Sequence, residues 1–465
     1  MNRLSKLLII SFLLLSVFQL QAVPAYPYPI KVQQPDGSYL TVINRGDEFF
    51  HYQTTEDGFP IVKNAKGIYN YAKIEESGRI IDMNFKATDK ANRTPDEIKH
   101  IQNLSEETVV QKINIQRRSL RAPASDVTKP SKFPITGSPK SLAILVNFSN
   151  KSYVINNPQI AFTNLLNEQG YSSNGGTGSA RDYFKDVSMG TFNPEFDVVG
   201  PFTLPQAMSY YGANSNEQDV NPVQMVVDAC KLASQNGVDF SKYDVDNDGY
   251  VDNVFIYYAG YNEAENGPDD SVWPHRWGIY PGYNYSGTTA SITFNGKKIN
   301  DYACTSELRG SSGSNMCGIG TFCHEFGHVL GLVDFYATNN ATHHTLSYWD
   351  IMDAGPYLNS GRTPPSYSAH ERFYLGWLTP VELKLPEDVT LEPLSTSNKA
   401  YLISQNGDHN LNGSNPIPAE HFLLENRQNT GWDKYLPGHG MLITRVYYNA
   451  ATWSNNTPNN NANTM

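Results

Sequence analysis

Residues 321–336 read TFCHEFGHVLGLVDFY and set His324 and His328 four positions apart, with Glu325 beside the first. In an α-helix residues four apart are offset by only about 40° around the axis, so both imidazoles leave one face and can share a metal ion. Glu325 is offset from that face and stays free. This division of roles predicts Zn²⁺ held by two imidazoles, with a carboxylate that does not ligate taking a proton from the metal-activated water. Val329, Leu330 and Leu332 predict a buried helix, and the Gly-rich stretch GSSGSNMCGIG ahead of it a loop.

A catalytic zinc needs three protein ligands and an open position. Gly331 lets the chain leave the helix sharply, because glycine takes left-handed dihedrals at little cost, and Asp334 then follows as the expected third ligand. Glu371 in SAHERFYLGW, His343 and His344 are the rivals for that place.

HEFGHVLGLVD matches HExxHxxGxxD, close to the metzincin pattern HExxHxxGxxH with aspartate for the last histidine. Downstream, SYWDIMDAGPY puts Met352 where a Met-turn would lie. With GSARDYFKDVSMG upstream and GWDKYLPGHGMLITRVYY downstream, the chain resembles the immune inhibitor A family of secreted bacterial metallopeptidases over roughly residues 138–450. The resemblance implies a zincin-like catalytic domain, zinc on His324, His328 and Asp334, Glu325 as general base, Met352 beneath the metal, and an N-terminal propeptide. No cysteine precedes residue 230, so a propeptide thiolate is excluded as an inhibitory zinc ligand.

A second ion is expected in YDVDNDGYVDN. Asp244, Asp246, Asp248, the Tyr250 carbonyl and Asp252 fall at alternate positions of a calcium loop with Gly249 at its tight turn. Phe255 stands where a helical EF-hand carries its last glutamate, so the loop is expected to run into a strand and to serve a structural Ca²⁺. His275 and Tyr357 are weaker candidates for touching substrate or the oxyanion, and each is read first as a packing residue.

The bulk of the chain sets the context. With 465 residues it is too long for one ordinary core. Its net charge of -11 and lack of a basic stripe argue against nucleic acid as partner. Residues 1–22, with Arg3 and Lys6 before an apolar run from Leu7 to Leu20, read as an export signal cleaved after Ala22 or Ala25. The run is short for a bilayer, and no later segment is apolar enough to span one. The four cysteines allow up to two disulfides in three pairings, while Cys230 reads as a core residue of a helix.

The expected organisation is α+β: a β-rich propeptide-like unit at 23–118, a Pro-rich linker at 119–140 with processing near Arg118 or Arg121, a mixed-sheet catalytic domain at 141–380, a β-rich region at 381–453 and a flexible tail at 454–465. ASITFNGKKINDYACTSEL predicts a hairpin turning at Asn295-Gly296, and a substrate strand is expected to add beside Tyr302. The whole predicts an exported zinc endopeptidase acting on protein or peptide substrates. The alternatives are a zincin-like binding protein or adhesin without catalysis, and a zinc amidase acting on cell walls.

Overall fold

The computed structural model describes residues 21–461 apart from 49, 76–78, 103, 105–132, 215–217, 281–291, 312, 340–342 and 406–408. Most of the export-signal segment and both Arg118 and Arg121 lie outside the described residues.

The first unit is a six-stranded antiparallel meander: β1 (Ile30–Gln33), β2 (Tyr39–Asp47), β3 (Phe50–Thr55), β4 (Pro60–Lys63), β5 (Tyr69–Ile74) and β6 (Ile80–Lys86), neighbouring one another in chain order. Leu40, Val42, Ile61 and Tyr71 form its core, which Ile101 of the helix Pro95–Ile101 closes. That helix starts at Thr94, whose side chain accepts from Glu97 N, with proline in its first turn.

The central unit is built on a five-stranded sheet in the order β11-β14-β10-β7-β8, from β7 (Lys140–Asn147), β8 (Glu195–Thr203), β10 (Val254–Tyr258), β11 (His275–Gly278) and β14 (Asp301–Ser306). All neighbours are parallel except β11, which runs antiparallel to β14 at one edge. The sequence of β10, VFIYY, is apolar throughout because helices cover both faces of the sheet. On one face pack Phe322 and Phe326 of the helix Gly320–Val329, with Tyr183 and Phe184 of the helix Ala180–Val187. On the other face lies the helix Pro222–Gln235, where Cys230 is a core residue.

β12 (Ile292–Phe294) and β13 (Lys297–Ile299) form the expected hairpin around Asn295 and Gly296, and β13 pairs in parallel with the short β9 (Tyr250–Val251). A four-stranded sheet of β15 (Val381–Glu382), β16 (Tyr401–Ser404), β17 (Glu420–Arg427) and β18 (Gly440–Tyr447) packs on the helix Ala369–Tyr374, and a short helix, Ala450–Ser454, follows it. The architecture is mixed α+β.

Three expectations need correction. The four cysteines are free and buried, so no disulfide forms. Tyr302 lies on β14, an interior strand, and the open sheet edge is β11, because the antiparallel strand is added outside it. The segment expected as a flexible tail folds down as far as it is described. Asn456 Oδ1 accepts from Asp334 N at 2.8 Å, and Asn459 Nδ2 donates to Phe335 O at 2.7 Å. Polarity there serves hydrogen bonding, not solvation. Among the described residues no helix is long and apolar enough to cross a membrane.

Candidate metal centre and active site

The helix Gly320–Val329 is anchored by its aromatic face: the Phe322 ring lies 4.5 Å from Phe255 and 5.1 Å from Phe196. That packing aims His324 and His328 the other way. His324 Nδ1 is 2.7 Å from Ile351 O, and His328 Nδ1 is 3.0 Å from Leu332 O. A carbonyl can only accept, so each Nδ1 donates and each Nε2 is left with a bare lone pair.

The two Nε2 atoms are 3.1 Å apart. Asp334 Oδ1 completes a triangle, 3.2 Å from His324 Nε2 and 3.3 Å from His328 Nε2. Gly331 makes this closure possible. Its φ of 103° turns the chain out of the helix in a conformation costly for other residues. Asn456 then clasps Asp334 from behind, its Oδ1 accepting from Asp334 N at 2.8 Å and its Nδ2 donating to Oδ2 at 2.5 Å.

Three buried acceptor atoms facing one another demand a positive charge. A proton on His324 supplies one: burial disfavours the imidazolium, yet the hydrogen bond to Asp334 and the charges of Glu325 and Asp334 outweigh it and lift the pKa to about 9. Burial works against the Asp334 carboxylate too, but the two imidazoles hold it down at about 2, while burial lowers the pKa of His328. A tetrahedral Zn²⁺ with bonds of about 2.0–2.2 Å separates its ligands by about 3.3–3.5 Å, which the triangle matches closely. The donor set fits zinc by spacing and by chemistry.

Glu325 stands outside that triangle. Its Oε1 accepts from Val23 N at 3.0 Å, while Oε2 is buried without a hydrogen-bond partner. Burial above all pushes its pKa up to about 8. Met352 is fully buried under the helix, where a Cβ on Gly327 would come within 2.7 Å of its Sδ. Phe335 N donates to Met352 O at 2.7 Å, tying the segment that carries Asp334 to that turn.

Of the rivals for the third ligand, Glu371 caps the helix Ala369–Tyr374, its Oε2 accepting from Ser368 N at 2.6 Å. His343 Nε2 lies 2.8 Å from Asn459 O, and His344 is exposed. None of the three joins the triangle. His275 is buried against Tyr302, its Nε2 2.8 Å from the Tyr302 hydroxyl.

In the acidic loop Asp244, Asp246 and Asp252 present carboxylate oxygens within 4.8 Å of one another. Asp248 does not join them; its Oδ1 accepts from Tyr250 N at 2.9 Å. Tyr250 opens β9. Lys297 Nζ stands 2.6 Å from Asp244 Oδ2.

Sequence reasoning missed the chain that crosses the site. Gln21 pairs antiparallel with Arg276 on the edge strand β11, through Gln21 N to Arg276 O at 3.0 Å and Arg276 N to Gln21 O at 2.6 Å. Beyond it the Ala22 carbonyl accepts from the Tyr336 hydroxyl at 2.7 Å, that of Val23 from Trp273 Nε1 at 3.2 Å, and that of Pro24 from the Tyr357 hydroxyl at 2.6 Å. Ala22 and Val23 are fully buried. No periodicity or motif in these small residues announces the contact.

Residues 136–377 match the immune inhibitor A peptidase M6 catalytic domain. Immune inhibitor A of Bacillus thuringiensis subsp. alesti is 29% identical over 217 residues, 41% of this chain and 31% of that protein. The pre-pro-metalloprotease PrtV of Vibrio cholerae serotype O1 (strain M66-2) is 26% identical over 237 residues, 45% of this chain and 25% of the relative. The match thus spans a third or less of the curated relatives' own length.

Proposed function

The chain belongs to the immune inhibitor A peptidase M6 family, and from that premise we propose that it is an exported, zinc-dependent endopeptidase made as a precursor. One observation carries the reading: three buried acceptors at zinc-ligand spacing, with a fourth buried group, Glu325, left unligated beside them. His324, His328 and Asp334 would hold the metal, their rings oriented by the carbonyls of Ile351 and Leu332. A zinc bound there supplies Lewis acidity toward water and a peptide carbonyl. Glu325 accepts the proton that water loses and returns it to the departing amine nitrogen. Its raised pKa suits a group that must both take and give a proton near neutrality. Glu325→Gln should lower casein hydrolysis by about 10²–10⁴-fold with the zinc content unchanged; equal activity would exclude the mechanism.

Latency would rest on what export cleavage leaves of the segment Gln21–Ala25: either cut removes Gln21, which pairs with β11, whereas Val23 is the residue that holds Glu325. Export cleavage after Ala22 keeps Val23 on Glu325, whereas cleavage after Ala25 removes it. N-terminal sequencing of the secreted precursor, with activity measured before and after a cut near Arg118 or Arg121, tests this: full activity in the uncut form would sink the precursor reading. Calcium belongs to the same proposal, on Asp244, Asp246 and Asp252, with Lys297 as its competitor and Asp248 bracing the turn.

A further inference from the structure

We propose that Tyr336 is a catalytic residue of this site: its hydroxyl donates to the carbonyl of the bond being cut and stabilises the negative charge that grows on that oxygen. The inference rests on the peptidase reading above. Its basis is a single peptide group held at both ends. The Ala22 carbonyl accepts from the Tyr336 hydroxyl at 2.7 Å, and the N–H of the next residue, Val23, donates to Glu325 Oε1 at 3.0 Å. The Ala22–Val23 peptide bond stands in for the scissile bond of a substrate lying along β11.

Hydrolysis needs two attentions at opposite ends of that bond. As a water oxygen bonds to the carbonyl carbon, the π pair of the C=O moves onto oxygen, where the Tyr336 O–H meets it. The C–N bond then breaks with its electron pair going to nitrogen, which takes from Glu325 the proton that Glu325 had accepted from the water. One water is consumed, a carboxyl and an amine product leave, and Tyr336 keeps its own proton throughout.

The neighbouring contacts set Tyr336 apart. Trp273 Nε1 reaches the Val23 carbonyl and Tyr357 the Pro24 carbonyl, oxygens of later peptide bonds whose nitrogens do not meet Glu325. Those two groups align the chain. Tyr336 is also placed by a fixed backbone: Asp334 N donates to Asn456 Oδ1 at 2.8 Å, Phe335 N to Met352 O at 2.7 Å, and Phe335 O accepts from Asn459 Nδ2 at 2.7 Å. A donor held in advance costs no reorganisation when charge develops.

Tyr336→Phe keeps the ring and removes the donor. In the processed enzyme, with a quenched fluorescent peptide, kcat should fall about 10²-fold and KM stay within about threefold. Zinc content and melting temperature should match the wild type. On a Glu325→Gln background, adding Tyr336→Phe should leave affinity for the same peptide, read by fluorescence anisotropy, within about threefold, because the hydrogen bond strengthens only as charge builds. If Glu325→Gln is inactive while Tyr336→Phe keeps kcat within twofold, the role of Tyr336 is overturned and the peptidase reading stands. Active Glu325→Gln would overturn both. Lost zinc or a lowered melting temperature in Tyr336→Phe would make the hydroxyl a structural prop and overturn the proposal as well.

Discussion

Two places in this chain gather carboxylates and neighbouring donors around an open centre, and they are built on opposite principles. At His324, His328 and Asp334 every candidate ligand atom is buried and each side chain is fixed by a second partner: Ile351 O, Leu332 O and Asn456. At Asp244, Asp246 and Asp252 one member is exposed, backbone amides of Asp248 and Gly249 already donate to Asp244, and Lys297 supplies a positive charge of its own. The first centre is arranged before any ion arrives and has few other ways to satisfy its charge. The second can do without one. Burial and second partners, more than the count of acids, separate a demanding cation site from an accommodating one.

The sharpest way to break this contrast is to remove a ligand from each centre. Asp334→Ala should abolish zinc retention, read by elemental analysis, and reduce peptide hydrolysis to background, whereas Asp252→Ala should leave zinc in place. Loss of zinc in both would dissolve the distinction. Asn456→Ala spares every ligand atom and should weaken zinc about 10–100-fold in chelator competition; unchanged affinity would mean that the clasp on Asp334 does nothing for the metal.

At the acidic loop, saturating Ca²⁺ should raise the melting temperature by about 5 °C. In Lys297→Met the rise should be larger, because the competing ammonium is gone and the carboxylates repel one another until the ion binds. A calcium response that is absent in both proteins would leave the loop as a lysine-neutralised turn.

The smallest effect is expected at Asp350, which supports the Met352 turn by accepting from Met352 N at 2.8 Å. Burial above all lifts its carboxyl from 3.8 to about 7, with the nearby charge of Asp353 adding to the rise. A raised folded-state pKa gives stability that is present below about 4 and lost as pH climbs through 7. Asp350→Asn should therefore melt about 2 °C above the wild type at pH 8 and no higher than it near pH 4. An equal gain at both pH values would refute the titration.

What could be read from the sequence was local. The His324–His328 spacing is a property of one helical turn, and Gly331 with Asp334 lies within reach of the same turn. The apolar run of β10 and the Asn295-Gly296 hairpin carry their own signals. What could not be read was whatever closes over distance. Asn456 lies 122 positions from Asp334, and Val23 lies 302 from Glu325. The Asn-rich end looked like a solvated tail because composition reports polarity and not partners; an amide that both donates and accepts can satisfy a buried carboxylate and its backbone at once. Strand order, too, is invisible along the chain, which is why the open edge fell to β11 and not to the strand bearing Tyr302.

The clasp of Asn456 on Asp334 also has a temporal meaning. Synthesis proceeds from the N-terminus, so the ribosome has made His324, Glu325, His328 and Asp334 well before the amide that steadies the last of them. A nascent polypeptide, or one released early, therefore carries the acid without its brace. On the proposed reading, a chain that stops short of residue 456 would hold its metal more weakly than one that has passed it.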